Sequence, residues 1–404
     1  MSGGDVLRDE TLITYDGAVA RLAAMARPLE QVDCPLNDAS GLVTAADVLA
    51  RHSAPRRNVS IMDGYAIRSR DLPGPFAVNG TSAAGMANPP SVGEGGAVRI
   101  YTGAPVPADA DRVVVQEITR TEGDRMTVTG DVGDNPFIRR TGCDFEAGAV
   151  LLPENTRLTP NRLVTAAAAD RATIRVWRKA RVAILATGDE LVEPGQATRH
   201  EGAIPDSISC ALAAACHNWG GEVVARRRVP DNASTIEGEA SALLRTADIL
   251  VVIGGASVGA RDFAKHALAG GEFHEVFSKV AMQPGKPVWC AASDRGQFVV
   301  GLPGNPVSAM VTARLFLAPL IAASAGRPFG SALPWEPLAI VGAGIHGRWR
   351  EQFARGTREN GSVRLIENQL SSAQIGLAIT DTLVRVPASD QYYGEGASMS
   401  CLWL

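Results

Sequence analysis

The stretch from about residue 180 to 322 most restricts what this chain can become. "ARVAILATGDEL" is a continuous apolar run that ends in a polar turn. Next, "DSISCALAAACHNWGGEVV" puts Ile208, Leu212, Cys216 and Trp219 on one helical face, and Gly220–Gly221 stops the helix. "GEVVARRRV", "ASTIEGEASALLRTA" and "ADILVVIGG" repeat the order strand, helix, strand. "EVFSKVAM", "PVWCAA" and "QFVVGLP" read as further strands, and "NPVSAMVTARLFLAPLI" as a closing helix. Strands that are apolar on both sides have no face to show to water, so helices must cover both faces of a parallel sheet. The expected class is α/β: a three-layer α/β/α domain with a mostly parallel sheet over residues 179–325.

The flanking regions read differently. Residues 11–50 carry helical spacing in "YDGAVARLAAMARPLE" and "NDASGLVTAADVLA", and "RHSAPRRNVSIMDGYAI" breaks it. A stretch rich in Gly, Pro and Val follows, with strand-like "GAVRIYTGAPVP" and "DRVVVQEI". A helix is expected near "TPNRLVTAAAAD". After Ser331, "PLAIVGAGI", "SVRLIENQ", "DTLVRVPA" and "ASMSCLWL" predict a small terminal barrel or sandwich. The expected organisation is an N-terminal region over 10–178 with a β-rich insert at about 57–142, the α/β domain, and a β-rich domain over 330–404. At roughly 100–200 residues per domain, 404 residues accommodate these parts.

A formal net charge of −4 without a long basic run excludes nucleic acid as the main partner. A small anion needs only a local basic cluster. The six cysteines form no CxxC and no zinc-type spacing with His, which predicts that most of them are reduced core thiols of a cytoplasmic protein. "MSGGDVLRDE" is polar and acidic, unlike a signal peptide, and no run approaches the ~18 apolar residues of a membrane span.

In an open α/β sheet, ligands bind beyond the carboxyl ends of the strands. Three such ends carry unusual turns: "TGDEL" (Thr187, Gly188, Asp189, Glu190), "GGASVGARDFAK", and "LPGNPVSAM". In the last, Asn305 suits a helix N-cap and Pro306 the first helical position, so the amides of that helix start would face an anion. One such turn alone is a tight connector; three at one end of one sheet mark a binding site. "GASVG" also fits the G-x-S-x-G nucleophile elbow, which makes an α/β-hydrolase with Ser257 a rival reading. His266, His274 and His346 are poorly placed as its partners, and no HGGG-type motif occurs. Asp63, Asp144, Glu190, Asp231 and Asp262 stand in turns, hard oxygen donors of the kind that suit Mg²⁺ beside a phosphate. Lys279 and Lys286 in "SKVAMQPGKP" are candidate anion anchors.

Together, "SIMDGYAI", "YTGAPVPADADRVVVQE", "GCDFEAGAVLLPENTRLTP", "ARVAILATGDELVEPG", "GGASVGARDF", "VAMQPGKP" and "GLPGNPVSAMV" stand in an order that resembles the molybdopterin molybdenumtransferase family. This is the MoeA family, which includes the gephyrin E domain. The resemblance spans about residues 10–400. It implies an elongated homodimer of four-domain chains, whose third domain is like that of the MogA-type adenylyltransferases. It implies insertion of molybdate into the dithiolene of adenylylated molybdopterin, with Mg²⁺-dependent release of AMP. A non-catalytic pterin-binding scaffold is the other reading the family allows, and none of the pocket acids is missing.

Carried over by motif, the resemblance implies catalytic roles for Glu190, Asp231, Asp262, Lys279 and Lys286, with Glu190 and Asp262 on the metal. Asp63, Thr102 and Asp144 would reach in from the partner subunit. Thr187, Gly188, Asp189, Asp206, Gly254, Gly255, Ser257, Gly259, Pro303, Gly304 and Asn305 would cradle the pterin and its phosphate. Pro287 would sit by the oxyanion with Lys286, and Arg350 and Ser372 nearby. The chain departs from the family pattern at Ile208, where Asn is usual, and at Gln283, often Lys or Arg.

Overall fold

The computed structural model describes residues 12–254 and 273–404, and the chain divides into two compact units. One holds Met1–Asp33, Gly41–Ala45 and Arg175–Leu404; the other holds Cys34–Ser40 and Ala46–Ile174. Helix α1 (Tyr15–Met25) opens the first unit, capped by Thr14, whose hydroxyl accepts from the Gly17 N–H. Tyr15, Ala18 and Leu22 form its buried stripe. The second expected helix, "NDASGLVTAADVLA", does not form. Leu36–Asp38 is a single tight turn, and Val43–Thr44 and Val48–Leu49 are short strands. Their β-branched residues pair across to other strands, Val43 with Trp177 and Val48 with Leu152, and that pairing overrides the helical spacing.

The second unit is built on strands β1 (Gly64–Ile67), β2 (Phe76–Ser82), β3 (Gly96–Ile100), β4 (Arg112–Val115), β5 (Thr119–Glu122) and β6 (Arg125–Val128). They form one sheet in the order β4-β1-β3-β2-β6-β5. Helix α2 (Pro160–Ala168) starts as read, with Pro160 in its first turn and Thr159 accepting from the Arg162 N–H.

In the first unit, β7 (Arg181–Thr187), α3 (Ser207–Trp219), β8 (Glu222–Val229), α4 (Ala233–Leu244) and β9 (Ile249–Ile253) follow in chain order. Strands β10 (Phe273–Ser278), β11 (Trp289–Ser293) and β12 (Phe298–Leu302), then helix α5 (Pro306–Ser324), complete the α/β part. The sheet order is β8-β7-β9-β12-β11-β10. The first four strands are parallel, and β11 runs antiparallel to both β12 and β10, so that β11 alone is reversed. The connection from β11 to β12 explains the reversal, because a link this short can only turn back as a hairpin.

Alternate residues of the central strands face opposite cores. Val182, Ile184, Val251 and Ile253 pack with Leu212 and Cys216 of α3 and with α5. Leu185, Leu250 and Val252 pack with Ile236, Ala240 and Leu243 of α4. Helix α5 corrects one expectation: by length and mean hydropathy, 1.6, it could cross a membrane, yet 94% of its apolar window is buried inside the molecule. It is the core helix of this unit.

The C-terminal part is a barrel. Strands β13 (Glu336–Ile340), β14 (Glu351–Glu359), β15 (Ser362–Leu365), β16 (Thr382–Val386) and β17 (Ser398–Trp403) lie in the order β14-β15-β13-β17-β16, and a β14–β16 pairing closes the ring. Met282–Gln283 adds to β14 in parallel, which ties the α/β part to the barrel. All six cysteines are free; Cys216, Cys290 and Cys401 are the buried thiols, whereas Cys143 and Cys210 are exposed rather than in a core.

Candidate active site

Because β7, β9 and β12 are parallel neighbours, their carboxyl ends deliver three turns to one place. The Gly254 N–H donates to the Leu302 carbonyl at 3.2 Å, and the Thr187 hydroxyl donates to the Ile253 carbonyl at 3.3 Å. Gly254 has φ 94°, and a Cβ there would stand 2.8 Å from the Thr187 carbonyl oxygen, so only glycine fits. A Cβ on Gly304 would come within 3.6 Å of the Gly254 Cα, so the "LPGNP" turn touches the β9 turn. The β8 end joins them: the Asp231 N–H donates to Asp189 Oδ1 at 3.2 Å, and the Gly188 N–H to the Val229 carbonyl. The Glu190 carboxylate is exposed and folds back over Gly188, where a Cβ would lie 3.0 Å from Glu190 Oε2. Gly255, Ser257, Gly259 and Asp262 lie outside the described residues.

Beside these turns a cavity of about 960 Å³ opens between the α/β part and the barrel. Lys286, Pro287, Pro303, Gly304, Asn305 and Arg350, all singled out from the sequence, line it. Gln283, His346, Arg348, Glu367, Asn368, Gln369 and Ser371 contribute as well. Among the described residues, lysine and arginine outnumber the one carboxylate on this wall. Asn305 occupies the N-cap position of α5 but makes no side-chain capping bond, contrary to expectation; its side chain is exposed. The first-turn amides of α5 are therefore not capped by the Asn305 side chain. Burial, and then the charge of Arg348, hold the Arg350 guanidinium below its usual pKa.

Three expected residues stand elsewhere. Lys279 is exposed with φ 55° and does not line the cavity; its backbone bridges Ile13 and Val288. Asp206 is 6% exposed and caps α3, accepting from the N–H and hydroxyl of Ser209, so its oxygens are engaged by the fold. Ser371, not Ser372, lines the cavity. Ile208, the departure noted in the sequence, packs into the core beneath α3.

Arg355 was not anticipated. It is 1% exposed on β14, and its guanidinium donates to the carbonyls of Asn368 (2.6 Å), Leu370 (3.2 Å) and Ala373 (3.2 Å). Gln369 closes the arrangement: its Oε1 accepts from the Arg355 N–H and its Nε2 donates to the Arg355 carbonyl. One buried cation thus shapes the loop that forms a cavity wall. An arginine inside a buried strand run is the only sequence signal, and it is visible only once β14 is known.

In the other unit, Asp63 Oδ1 accepts from the Thr102 N–H at 2.7 Å and the Thr102 hydroxyl at 2.8 Å. These two donors, the N–H first, hold the Asp63 carboxyl below its ordinary pKa. Asp144 is exposed and pairs with Arg139 at 3.6 Å. Among the described residues, no group of three or more His, Cys, Asp or Glu could hold a metal ion.

Known proteins resemble this chain over most of its length. A family model described as the MoeA N-terminal region (domain I and II) matches residues 13–169, and one described as a probable molybdopterin binding domain matches 183–323. A molybdopterin molybdenumtransferase of Nostoc sp. is 33% identical over 387 residues, 91% of this chain and 87% of the relative. Molybdopterin molybdenumtransferase 2 of Mycobacterium tuberculosis is 33% identical over 394 residues, 92% of this chain and 96% of the relative. Two crystal structures of the MoeA protein of Pyrococcus horikoshii superpose with TM-scores of 0.84 and 0.79, each 24% identical and covering 97% of this chain and 99% and 100% of theirs, a likeness of fold.

Proposed function

Because this chain belongs to the molybdopterin molybdenumtransferase family, and so to molybdenum cofactor biosynthesis, we propose that it inserts molybdate into the dithiolene of adenylylated molybdopterin and releases AMP. The observation that carries this reading is the cavity, which Lys286, Arg348, Arg350 and the Pro303–Asn305 turn line together. Adenylylated molybdopterin carries a phosphoanhydride between the pterin phosphate and AMP, which water cleaves to free AMP, and molybdate is a separate dianion; these cations offset the negative charges of both. The uncapped start of α5 adds N–H donors to the same wall. Asn305 offers an amide that can both donate and accept, suited to a pterin edge.

Glu190 and Asp262 are the residues that would hold Mg²⁺. Their hard oxygen donors fit the ion, and the Glu190 carboxylate is exposed. Bound there, the cation would supply Lewis-acid polarisation of a phosphate oxygen. Asp63, Thr102 and Asp144 belong to the other unit, and in this proposal they complete the site of a second copy in a homodimer. The hydrolase reading rested on the Gly255–Gly259 pattern, and family membership displaces it.

Glu190→Gln tests the assignment. With purified protein and adenylylated molybdopterin, the variant should lose AMP release while its pterin affinity stays within about threefold, since only the metal-directed charge is removed. AMP release at the wild-type rate would overturn the role of Glu190.

A further inference from the structure

Asp63 stands on a turn that its own neighbour cannot hold. It immediately precedes β1, and at Gly64 a Cβ would stand 2.0 Å from the Val114 carbonyl oxygen, so no side chain can anchor the turn from there. The restraint comes from β3 and from the residue after β4. Arg99 Nη1 donates to the Gly64 carbonyl at 3.1 Å, and Arg99 Nη2 donates to Gln116 Oε1 at 2.6 Å. The Gln116 N–H in turn donates to the Asp63 carbonyl at 3.0 Å. One guanidinium thus ties the consecutive carbonyls of Asp63 and Gly64, the second directly and the first through Gln116. Arg99 is itself held on two sides. Its Cζ lies 5.1 Å from the centroid of the Tyr65 ring and 5.1 Å from that of Tyr101, a spacing at which both rings attract the cation. Tyr65 is buried, and its hydroxyl shares a hydrogen bond with Thr121 Oγ1 at 2.8 Å; Tyr101 adjoins Thr102 in the chain. A guanidinium already fixed between two rings gives up little further freedom when its planar fork binds two oxygens. Neither acceptor is charged, so the cation keeps its field, and after the two Thr102 bonds that field also lowers the Asp63 pKa.

We propose that Arg99 is the positioning residue of the Asp63 turn: clamped between Tyr65 and Tyr101, its fork fixes the Gly64 carbonyl and Gln116, and so sets the direction of the Asp63 carboxylate for AMP release. Arg99 touches no substrate in this role and works through Asp63. The inference rests on the proposed function, in which Asp63 completes the site.

Steady-state AMP release from adenylylated molybdopterin by the full chain, together with an NMR titration of the Asp63 carboxyl, tests the role. Arg99→Gln should lower kcat at least about tenfold and keep KM within about threefold, because the cavity proposed for the pterin lies on the other unit. In that variant Asp63 should titrate at a higher pH than in wild type. Arg99→Lys returns the charge without the planar fork, so the Asp63 titration should move back toward wild type while kcat stays within about threefold of Arg99→Gln. Gln116→Met removes one acceptor of the fork and leaves the Arg99 charge and the residue 116 N–H. It should lower kcat at least about threefold and serves if Arg99→Gln fails to fold. Wild-type kcat in Arg99→Gln, or in Gln116→Met where the former does not fold, overturns the positioning role and leaves the proposed function standing. A fall in kcat with an unmoved Asp63 titration in Arg99→Gln overturns the claim that Arg99 works through Asp63. Full recovery of kcat in Arg99→Lys overturns the part given to the fork. Wild-type protein that releases no AMP overturns the proposed function and this role with it.

Discussion

Asn305 stands just outside α5, where an amide usually caps the helix, yet its side chain caps nothing and lines the cavity instead. Asn305→Ala should therefore change stability by less than about 0.5 kcal/mol, as for an ordinary surface site, and should weaken pterin binding. Thermal melts that show the ~1 kcal/mol loss of a true cap, with affinity unchanged, would contradict this. Asp63 carries a second prediction. Its lowered pKa means that the carboxylate is favoured in the folded state above the unfolded pKa, and that this advantage is lost as pH falls through the lowered folded value. Thr102→Val deletes the hydroxyl donor and keeps the N–H, so Asp63 should protonate at a higher pH and the acid limb of activity should move up with it. An NMR titration of the Asp63 carboxyl that does not move would refute the hydrogen-bond account. The sequence marks both positions as turn residues, because turn chemistry and Gly flanks leave local traces, but it did not show that Asn305 leaves its helix uncapped. Where Lys279 and Asp206 stand was not legible for a shared reason: a residue's direction depends on pairing partners far away in the chain, and no local spacing encodes them.

The loop over residues 366–373 gains its shape from an element that the sequence hid. "EQFARGTRE" is rich in charge, and it forms β14 with Phe353, Ala354 and Arg355 buried. The run is a strand because barrel closure pairs it with both β15 and β16. The apolar runs of β7 and β9 needed no such context, since strands buried on both faces announce themselves. The same distinction explains "NDASGLVTAADVLA", whose spacing suits a helix but whose β-branched residues pair with distant strands. Arg355→Met would keep much of the side-chain volume and strip the Asn368, Leu370 and Ala373 carbonyls of their donor. The expected cost is about 1–3 kcal/mol for each carbonyl that stays buried and unpaired. Limited proteolysis should then cut within 366–373 faster than in wild type. An unaltered cleavage pattern with unaltered melting would show that Arg355 does not hold the loop.

The whole chain carries its candidate acids on two separate units, Asp63 and Asp144 on one and Glu190 on the other. If two copies share their sites, as proposed, an Asp63→Ala chain and a Glu190→Ala chain can complement each other. Random exchange makes half the dimers mixed, and one site of each mixed dimer is intact, so roughly a quarter of wild-type activity should return. Sites built within one chain would stay dead after demonstrated exchange. The central claim is the reaction itself, and one measurement addresses it most directly: AMP release and molybdenum incorporation, followed together, when purified wild-type protein meets adenylylated molybdopterin, Mg²⁺ and increasing molybdate. The account predicts AMP release that depends on molybdate, with one molybdenum bound to pterin for each AMP freed. AMP release indifferent to molybdate, with no molybdenum in the pterin product, would contradict it.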